Sequence, residues 1–328
     1  MMNLSEADGQ AWLVTGGLGY IGAHIARAFI DEGHRVYIID NLSTGKLERK
    51  PKEAIFIPGD VRNPNIVKEV CDQYEVNGIV HLAAFKHARE SMLNPSKYWI
   101  NNVGATLGLV EGIQNTKVSK VILSSSCSIY GNSPGVDENS SDNPQSPYAH
   151  TKKVSEEVLA QVLPCLGISF ASLRFFNVVG CDSFPQAHDS SDECLVPVIT
   201  NQLLAAAPFR IFGDSHPTED GTCVRDYLDV RDLAQAHITV ASRLADTSAS
   251  VVINVSSGKA TSVLQVLREF QTVIGEKITY ISAPANSADP IAIWSHPSKI
   301  LASWGWKPKF NLKNSISAHW DSATKLPD

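Results

Sequence analysis

The chain has 328 residues, 43% of them hydrophobic, and a formal net charge of −6. That length can bury a full core in one large or two smaller domains, and the acidic balance argues against a partner such as nucleic acid or an anionic membrane, which selects a basic face. Cys71, Cys127, Cys165, Cys181, Cys194 and Cys223 form no Cys-x-x-Cys pair and the ten histidines show no ligand spacing, so a disulfide framework, a zinc site and a metal enzyme are set aside.

The amino terminus, Met1 to Gln10, is polar and acidic ahead of a short apolar strand, the wrong order for a signal peptide. No apolar run approaches the ~20 residues of a membrane span, and a soluble cytoplasmic protein is expected. Ala11–Thr15 has a buried-strand pattern and Ile21–Glu32 is helical, with Ile21, Ile25, Ala28 and Phe29 on one face. Strands are predicted at Arg35–Asp40, Ala54–Pro58, Gly78–Ala83 and Val118–Ser124, separated by helices over 64–75 and 96–115. Tyr148–Leu163 reads as a further helix and Ile168–Phe175 as a strand. This alternation predicts an α/β fold, a Rossmann-type doubly wound parallel sheet covered on both faces.

After residue 176 the rhythm breaks. The polar stretch Cys181 to Glu193 reads as an exposed loop and Leu195–Ala206 as a helix; Arg225–Val230 leads into a helix over Val230–Leu244, and Val251–Val255 reads as one more strand. The tail is mixed, with Trp294, Trp304, Trp306 and Trp320 as anchors. No linker divides the chain. The expected organisation is a dinucleotide-binding domain over 1–176, with 226–256 returning to it, and a smaller interleaved α/β substrate lobe from 177–225 and 257–328.

A dinucleotide pyrophosphate needs backbone N–H groups at a helix start with no side chain in the way. Gly17-x-Gly19-x-x-Gly22, extended by Gly16, supplies them between a predicted strand and a predicted helix. Asp40 ends the second strand, where its carboxylate can accept from both adenosine ribose hydroxyls. No arginine adjoins it to receive a 2′-phosphate, so NAD is favoured over NADP. Asp60 falls where it can meet the adenine amine, with Asn41 and Ser43 on the loop after Asp40; each of these types is also at home in a turn.

Tyr148 and Lys152 are spaced to share one helix face a turn apart. An ammonium beside a phenol stabilises the phenolate, lowering a pKa that is ordinarily about 10 toward the range of a useful base. Ser126 ends a strand, so its hydroxyl can project into the crevice at the carboxyl edge of the sheet. Glycine loop and Tyr-x-x-x-Lys together describe nicotinamide-dependent redox chemistry at a C–OH group.

These motifs strongly resemble the extended short-chain dehydrogenase/reductase family and, within it, the UDP-glucose (UDP-galactose) 4-epimerases. The resemblance runs through TGGLGYIGAH (15–24), DNLSTG (40–45), GDVR (59–62), HLAAFK (81–86), NNV (101–103), SSSCSIYG (124–131), PQSPYAHTK (144–152), LRFFN (173–177) and TEDGTCVRDYLDV (218–230). It implies a tightly held NAD contacted by Gly16, Gly19, Tyr20, Ile21, Asp40, Asn41, Ser43, Asp60, Val61, Leu82, Ala83, Ala84, Lys86, Asn101, Tyr148 and Lys152. It implies a UDP-hexose contacted by Lys86, Ser126, Asn177, Leu195, Phe212, Arg225 and Asp289. Tyr148 takes the C4 hydroxyl proton in that scheme, Lys152 binds the nicotinamide ribose and Ser126 orients the hydroxyl. The 4-keto sugar then turns about its diphosphate and regains hydride on the opposite face. A homodimer through helices near 97–115 and 148–163 is implied as well.

The chain departs from that pattern in the diphosphate region. Arginines usual before the aspartate matched by Asp289 are replaced by Ala285 and Asn286, and an amide usual before Leu195 by Cys194. Each lost charge-assisted hydrogen bond costs about 1.5–3 kcal/mol of ligand binding. Trp294 matches an aromatic position of some members, and the neighbouring residue that influences tolerance of N-acetyl sugars is Ile293. Two alternatives therefore stay open. One is another nucleotide-sugar enzyme of this family: a 4-epimerase of a different sugar, a dehydratase or a reductase. Ser126-Cys127-Ser128 supplies no acid pair for elimination. The other is a catalytically silent NAD-binding regulator. For Arg225, an ion pair with Asp226 or Asp229 is the competing reading.

Overall fold

The computed structural model describes residues 9–184, 186–244, 250–285 and 290–324. The first half builds β1 (Ala11–Thr15), α1 (Tyr20–Asp31), β2 (Arg35–Asp40), β3 (Ile55–Pro58), α2 (Pro64–Gln73) and β4 (Gly78–His81). There follow α3 (Ala88–Leu93), α4 (Pro95–Tyr98), a π-helical segment Trp99–Val103, α5 (Gly104–Gly112), β5 (Lys120–Ser124), α6 (Pro147–Cys165) and β6 (Ser169–Phe175). Next come β7 (Asn177–Val179), α7 (Leu195–Leu204), β8 (Phe209–Phe212), β9 (Val224–Arg225), β10 (Tyr227–Asp229), α8 (Val230–Arg243) and β11 (Ser250–Val255). The chain closes with β12 (Thr261–Ser262), α9 (Val263–Ile274), β13 (Tyr280–Ala283), β14 (Ala292–Ile293), α10 (Lys299–Ser303) and α11 (Leu312–Thr324).

Seven strands form one parallel sheet in the order β3-β2-β1-β4-β5-β6-β11. Strand order reverses between β1 and β4, and a crevice opens at the carboxyl ends of strands at such a switch point. Alternation along β1 explains both buried faces. Trp12 and Val14 join Ile25, Phe29, Leu233 and Val240 beneath α1 and α8. Ala11 and Leu13 join Val67, Val70, Leu109, Leu159 and Leu163 beneath α2, α5 and α6. Both faces are sealed, as expected of a doubly wound sheet. A third apolar cluster, including Val179, Ile199, Phe209, Tyr227, Phe270 and Ile316, is drawn wholly from beyond residue 176.

Three differences from the predicted elements have physical causes. The helix predicted over 96–115 is broken into α4, the π segment and α5. Buried Asn102 lies in the widened turn, accepting from Phe85 N at 2.8 Å and donating to Phe85 O at 3.1 Å and Thr151 Oγ1 at 3.0 Å. Where the tail pattern suggests mixed structure, α9 forms with a full capping box between Ser262 and Gln265 and Gly275 in the left-handed region at its end. Lastly, Cys181 to Glu193 is not simply an exposed loop, because Cys181, Ala187 and Asp189 are buried.

Candidate functional site

The carboxyl end of β1 delivers the glycine loop. Gly16 N donates to Ile39 O at 2.8 Å, and Gly19 N to Gly16 O at 3.1 Å, which folds the loop back on itself. Gly22 sits against Gly16 so closely that a Cβ there would meet the Gly16 carbonyl oxygen at 2.4 Å. Gly19, the N-cap of α1, is different. An added Cβ meets Gly16 O at 3.3 Å and otherwise open space. Packing alone does not demand a glycine there, but close approach of a phosphate group does. Tyr20 and Ile21 present the first N–H groups of α1 beside it, and such groups have no partner within the helix. The Tyr20 hydroxyl itself donates to Gly180 O at 2.6 Å, so that side chain is structural while its backbone faces the loop.

Asp40 ends β2 buried, accepting from Leu18 N at 3.0 Å and Leu42 N at 2.8 Å. Burial raises its pKa, and the two N–H groups act against that rise. Each carboxylate oxygen keeps a lone pair for a ribose hydroxyl. The nearby cation Arg62 is engaged by Asp60, at 2.6 Å, which also accepts from Asn41 Nδ2 at 3.1 Å. The Arg62 hydrogen bonds hold Asp60 down at about 2. Ser43 N donates to Asn41 Oδ1 at 3.0 Å, Val61 is buried, and Leu82, Ala83 and Ala84 are half-buried after β4. Asn101, in the π segment, donates to Asn102 Oδ1 at 3.0 Å. Open space beyond Gly16 O at Gly19, helix N–H groups with no partner within the helix, and a buried acid at the end of β2 fit NAD.

Residue types fix the catalytic trio locally. Ser126 caps the short helix Cys127–Tyr130, accepting from Ser128 N at 3.2 Å and donating to Ser128 Oγ at 2.9 Å. Ser146 caps α6, with Pro147 at its first position, so Tyr148 and Lys152 fall in the first two turns and are both buried. Burial pushes the Tyr148 phenol up to about 12, while its hydrogen bond to Ser126 and the charge of Lys86 draw it down. Lys152 donates to Ser124 O at 2.8 Å, and burial lowers its pKa to about 8, with Glu156 opposing. The charge of Lys86 therefore also acts on the phenol, which the Tyr-x-x-x-Lys pattern does not reveal, while the Ser124 carbonyl anchors Lys152 one turn further along α6. Glu156, one turn beyond Lys152, accepts from Ser172 Oγ at 2.6 Å and Arg174 NH2 at 2.7 Å. The i+4 spacing from Lys152 was its signal in the sequence.

Around this centre the expected sugar contacts are partly gathered. Lys86 Nζ lies 3.1 Å from Asp189, and Cys194 joins them with hydrogen bonds to Ser191 and Asp189, its thiol raised by burial. Leu195 begins α7 directly after Cys194. Arg225 donates to Val224 O at 2.9 Å, and its charge lowers the pKa of Cys127 and Tyr227 against the larger effect of burial. The competing ion pairs do not form. Asp226 accepts from the N–H groups of Ser257, Gly258 and Lys259, and Asp229 pairs with Arg231. Asn177 opens β7, donating its N–H to Asp226 O at 3.0 Å. Phe212 stands 53% exposed at the end of β8, opposite Ala283 on the strand leading to Ala285. Ile293 pairs in register with Arg225 and is buried with Cys127, Tyr130, Val136 and Phe176. Trp294 stacks edge-on with His296. Asn286 and Asp289 lie outside the described residues. Among the described residues no group of side chains could hold a metal, and no helix is long and apolar enough to cross a membrane.

Comparison with known proteins agrees with this geometry. Residues 12–256 match the NAD dependent epimerase/dehydratase family. UDP-glucose 4-epimerase of Lacticaseibacillus casei is 34% identical over 330 residues, covering 96% of this chain and 97% of the relative. The structure of UDP-glucose-4-epimerase from Stenotrophomonas maltophila with bound NAD and formylated UDP-arabinopyranose superposes with a TM-score of 0.89 at 28% identity, covering 96% of this chain and 98% of the other. That from Bifidobacterium longum in complex with NAD+ and UDP gives 0.87 at 27% identity, covering 96% and 99%. This chain belongs to the NAD dependent epimerase/dehydratase family, within the extended short-chain dehydrogenases/reductases that its motifs resemble.

Proposed function

We propose that this protein is an epimerase that interconverts UDP-glucose and UDP-galactose at C4 with a retained NAD. One observation carries the reading: Ser126, Tyr148 and Lys152 converge, all buried, at the sheet edge beside an open glycine loop. Bound NAD supplies the hydride acceptor and donor. Tyr148 takes the C4 hydroxyl proton in the forward step and returns it after the sugar has turned. Ser126, hydrogen-bonded to Tyr148, orients that hydroxyl. Lys152, held on Ser124 O, would bind the nicotinamide ribose through its remaining N–H donors, and Lys86 adds positive field that favours the phenolate. Gly16, Gly19, Tyr20, Ile21, Asp40, Asn41, Ser43, Asp60, Val61, Leu82, Ala83, Ala84, Lys86 and Asn101 line the cofactor's course. Asn177, Leu195, Phe212, Arg225 and Asp289 hold the nucleotide.

The seven-stranded sheet with its helices serves as the cofactor domain, and the separate third apolar cluster supports a substrate lobe built from the later residues. The active unit is a homodimer: Leu93, Ile100 and Leu107 are 75%, 63% and 51% exposed on the α3–α5 stretch, apolar surface that a second copy covers. Six unbridged cysteines support a reducing, cytoplasmic setting. A second reading, a different nucleotide sugar as the preferred substrate, is favoured by Cys194 standing in the diphosphate region.

The test is NMR product analysis after incubating the purified protein with UDP-galactose and no added NAD or reductant. Appearance of UDP-glucose supports the reading. A folded, NAD-bearing protein that leaves UDP-galactose unchanged sinks it and turns attention to other nucleotide sugars.

A further inference from the structure

The segment from Cys181 to Glu193 leaves β7 and returns to α7, yet it is tied along its length to the cofactor half. Asp182 N donates to His24 Nε2 at 3.0 Å, and the Phe184 ring lies 4.5 Å from the Arg27 guanidinium. Arg49 donates from Nε to Gln186 O at 2.8 Å and from NH2 to His188 O at 3.0 Å. Lys86 pairs with Asp189 at 3.1 Å, and His87 Nδ1 lies 3.1 Å from Glu193. These partners are not scattered. His24 and Arg27 belong to the helix after β1, Arg49 to the loop after β2, and Lys86 and His87 to the loop after β4. The loops after β2 and β4 lie at the carboxyl edge of the sheet, on the side where a dinucleotide binds, and α1 packs beside them. On its other side the segment hangs from α11, where Cys181 Sγ donates to Ala318 O at 3.0 Å and His188 Nδ1 meets Ser322 Oγ at 3.1 Å.

Arg49 is the unusual member. It is 4% exposed, and its hydrogen bonds go to two backbone carbonyls of the segment, with no carboxylate in salt-bridge range among the described residues. Burying a guanidinium is costly unless it is hydrogen-bonded, so the position of the segment and the burial of Arg49 depend on each other. Asp189, 8% exposed, is the second pin, and it reaches the same Lys86 whose field acts on Tyr148.

We infer that Arg49 and Asp189 are positioning residues that fasten the Cys181–Glu193 segment as a strap across the dinucleotide crevice and so keep the cofactor bound between turnovers. The inference rests on the NAD-binding reading given above. The strap has to lift for NAD to leave, and each pin slows that opening. Sugar exchange proceeds under the closed strap, so loosening it changes cofactor release and leaves turnover with NAD in excess untouched.

The test uses holoprotein as purified, loaded with radiolabelled NAD and chased with unlabelled NAD. Arg49→Met is expected to speed label loss by about tenfold or more, the consequence of losing charge-assisted hydrogen bonds. Asp189→Asn, which keeps shape and hydrogen bonding but drops the charge, is expected to speed it by roughly threefold or more. kcat with UDP-galactose at saturating NAD stays within about twofold of wild type in Arg49→Met; Asp189→Asn is read by label loss alone, because its charge also bears on Lys86. If Arg49→Met fails to fold, Asp189→Asn decides alone. Equal label loss in wild type and the folded variants overturns the strap, as does a fall in kcat at saturating NAD with release unchanged. Wild-type protein that neither carries nor takes up NAD overturns the cofactor reading and the strap with it.

Discussion

A methyl group added at Gly22 meets the Gly16 carbonyl oxygen at 2.4 Å, whereas one added at Gly19 meets it at 3.3 Å and otherwise faces open space. The two glycines, three residues apart, therefore answer to different demands. Gly22→Ala is expected to lower the melting temperature of NAD-free protein by several degrees, since something must shift to admit the methyl group. Gly19→Ala leaves that temperature nearly unchanged but cuts retained NAD by about tenfold or more, because the methyl group occupies the phosphate's place. Equal effects of both substitutions on stability would contradict the assignment. The catalytic pair has a signature of its own. With its pKa lowered by burial to about 8, Lys152 is charged below that pH and neutral above it. Activity at saturating substrate should fall on an alkaline limb near pH 8; a profile flat to pH 10 assigns the charge of Lys152 no role. Ser126, Tyr148 and Lys152 were legible in the sequence because spacing and strand ends suffice to place them. The ties of Lys152 to Ser124 O and of Lys86 to Asp189 were not, since they join residues 28 and 103 positions apart.

At the scale of elements, α6 shows how a helix sets chemistry along one face. Its Ser146 cap and Pro147 start fix Tyr148 and Lys152 in the first two turns, and Glu156 follows one turn later. Glu156 is buried against Arg174, and its charge props up the pKa of Lys152. Glu156→Gln is expected to destabilise the protein by about 3 kcal/mol in urea, for it leaves the buried Arg174 with Asp142 as its remaining partner. It should also move the alkaline limb of activity below pH 8, a shift that a purely structural role for Glu156 would not produce. Most elements of the first half were legible, because each strand–helix unit has length enough to show its period. The second half was less so. β9 and β12 have two residues each and exist through pairing with one another, which no local pattern reveals. α9 was missed although its signals are local: Ser262, Gln265 and Gly275 mark its ends and Val266, Leu267 and Phe270 its buried face.

Across the whole molecule, four histidines are buried neutral. His24, His237 and His319 are lowered to about 4 and His81 to about 3, in every case chiefly by burial. The depressed folded values mean that the unfolded chain binds more protons between pH ~6.5 and ~4, so stability is present above pH ~6.5 and lost as pH falls. Asp40, Asp226 and Asp232 are raised by burial and oppose the trend, Asp226 to about 6. The four large histidine shifts outweigh them. The melting temperature is expected to fall steadily from pH 7 to pH 5, and a rise over that range would contradict the burial of neutral histidines. Two of these groups bond strands at the centre of the sheet: His81 on β4 bonds Thr15 on β1 at 2.7 Å, and His237 accepts from Ser124 Oγ on β5 at 3.2 Å. The central claim is that hydride leaves C4 and returns to C4 within one active site. The most direct measurement follows UDP-glucose deuterated at C4, incubated with the protein in ordinary water without added cofactor, by NMR and mass spectrometry. The account expects UDP-galactose that retains the deuterium at C4. UDP-galactose carrying solvent hydrogen at C4, or product formed only when reductant is added, would contradict it.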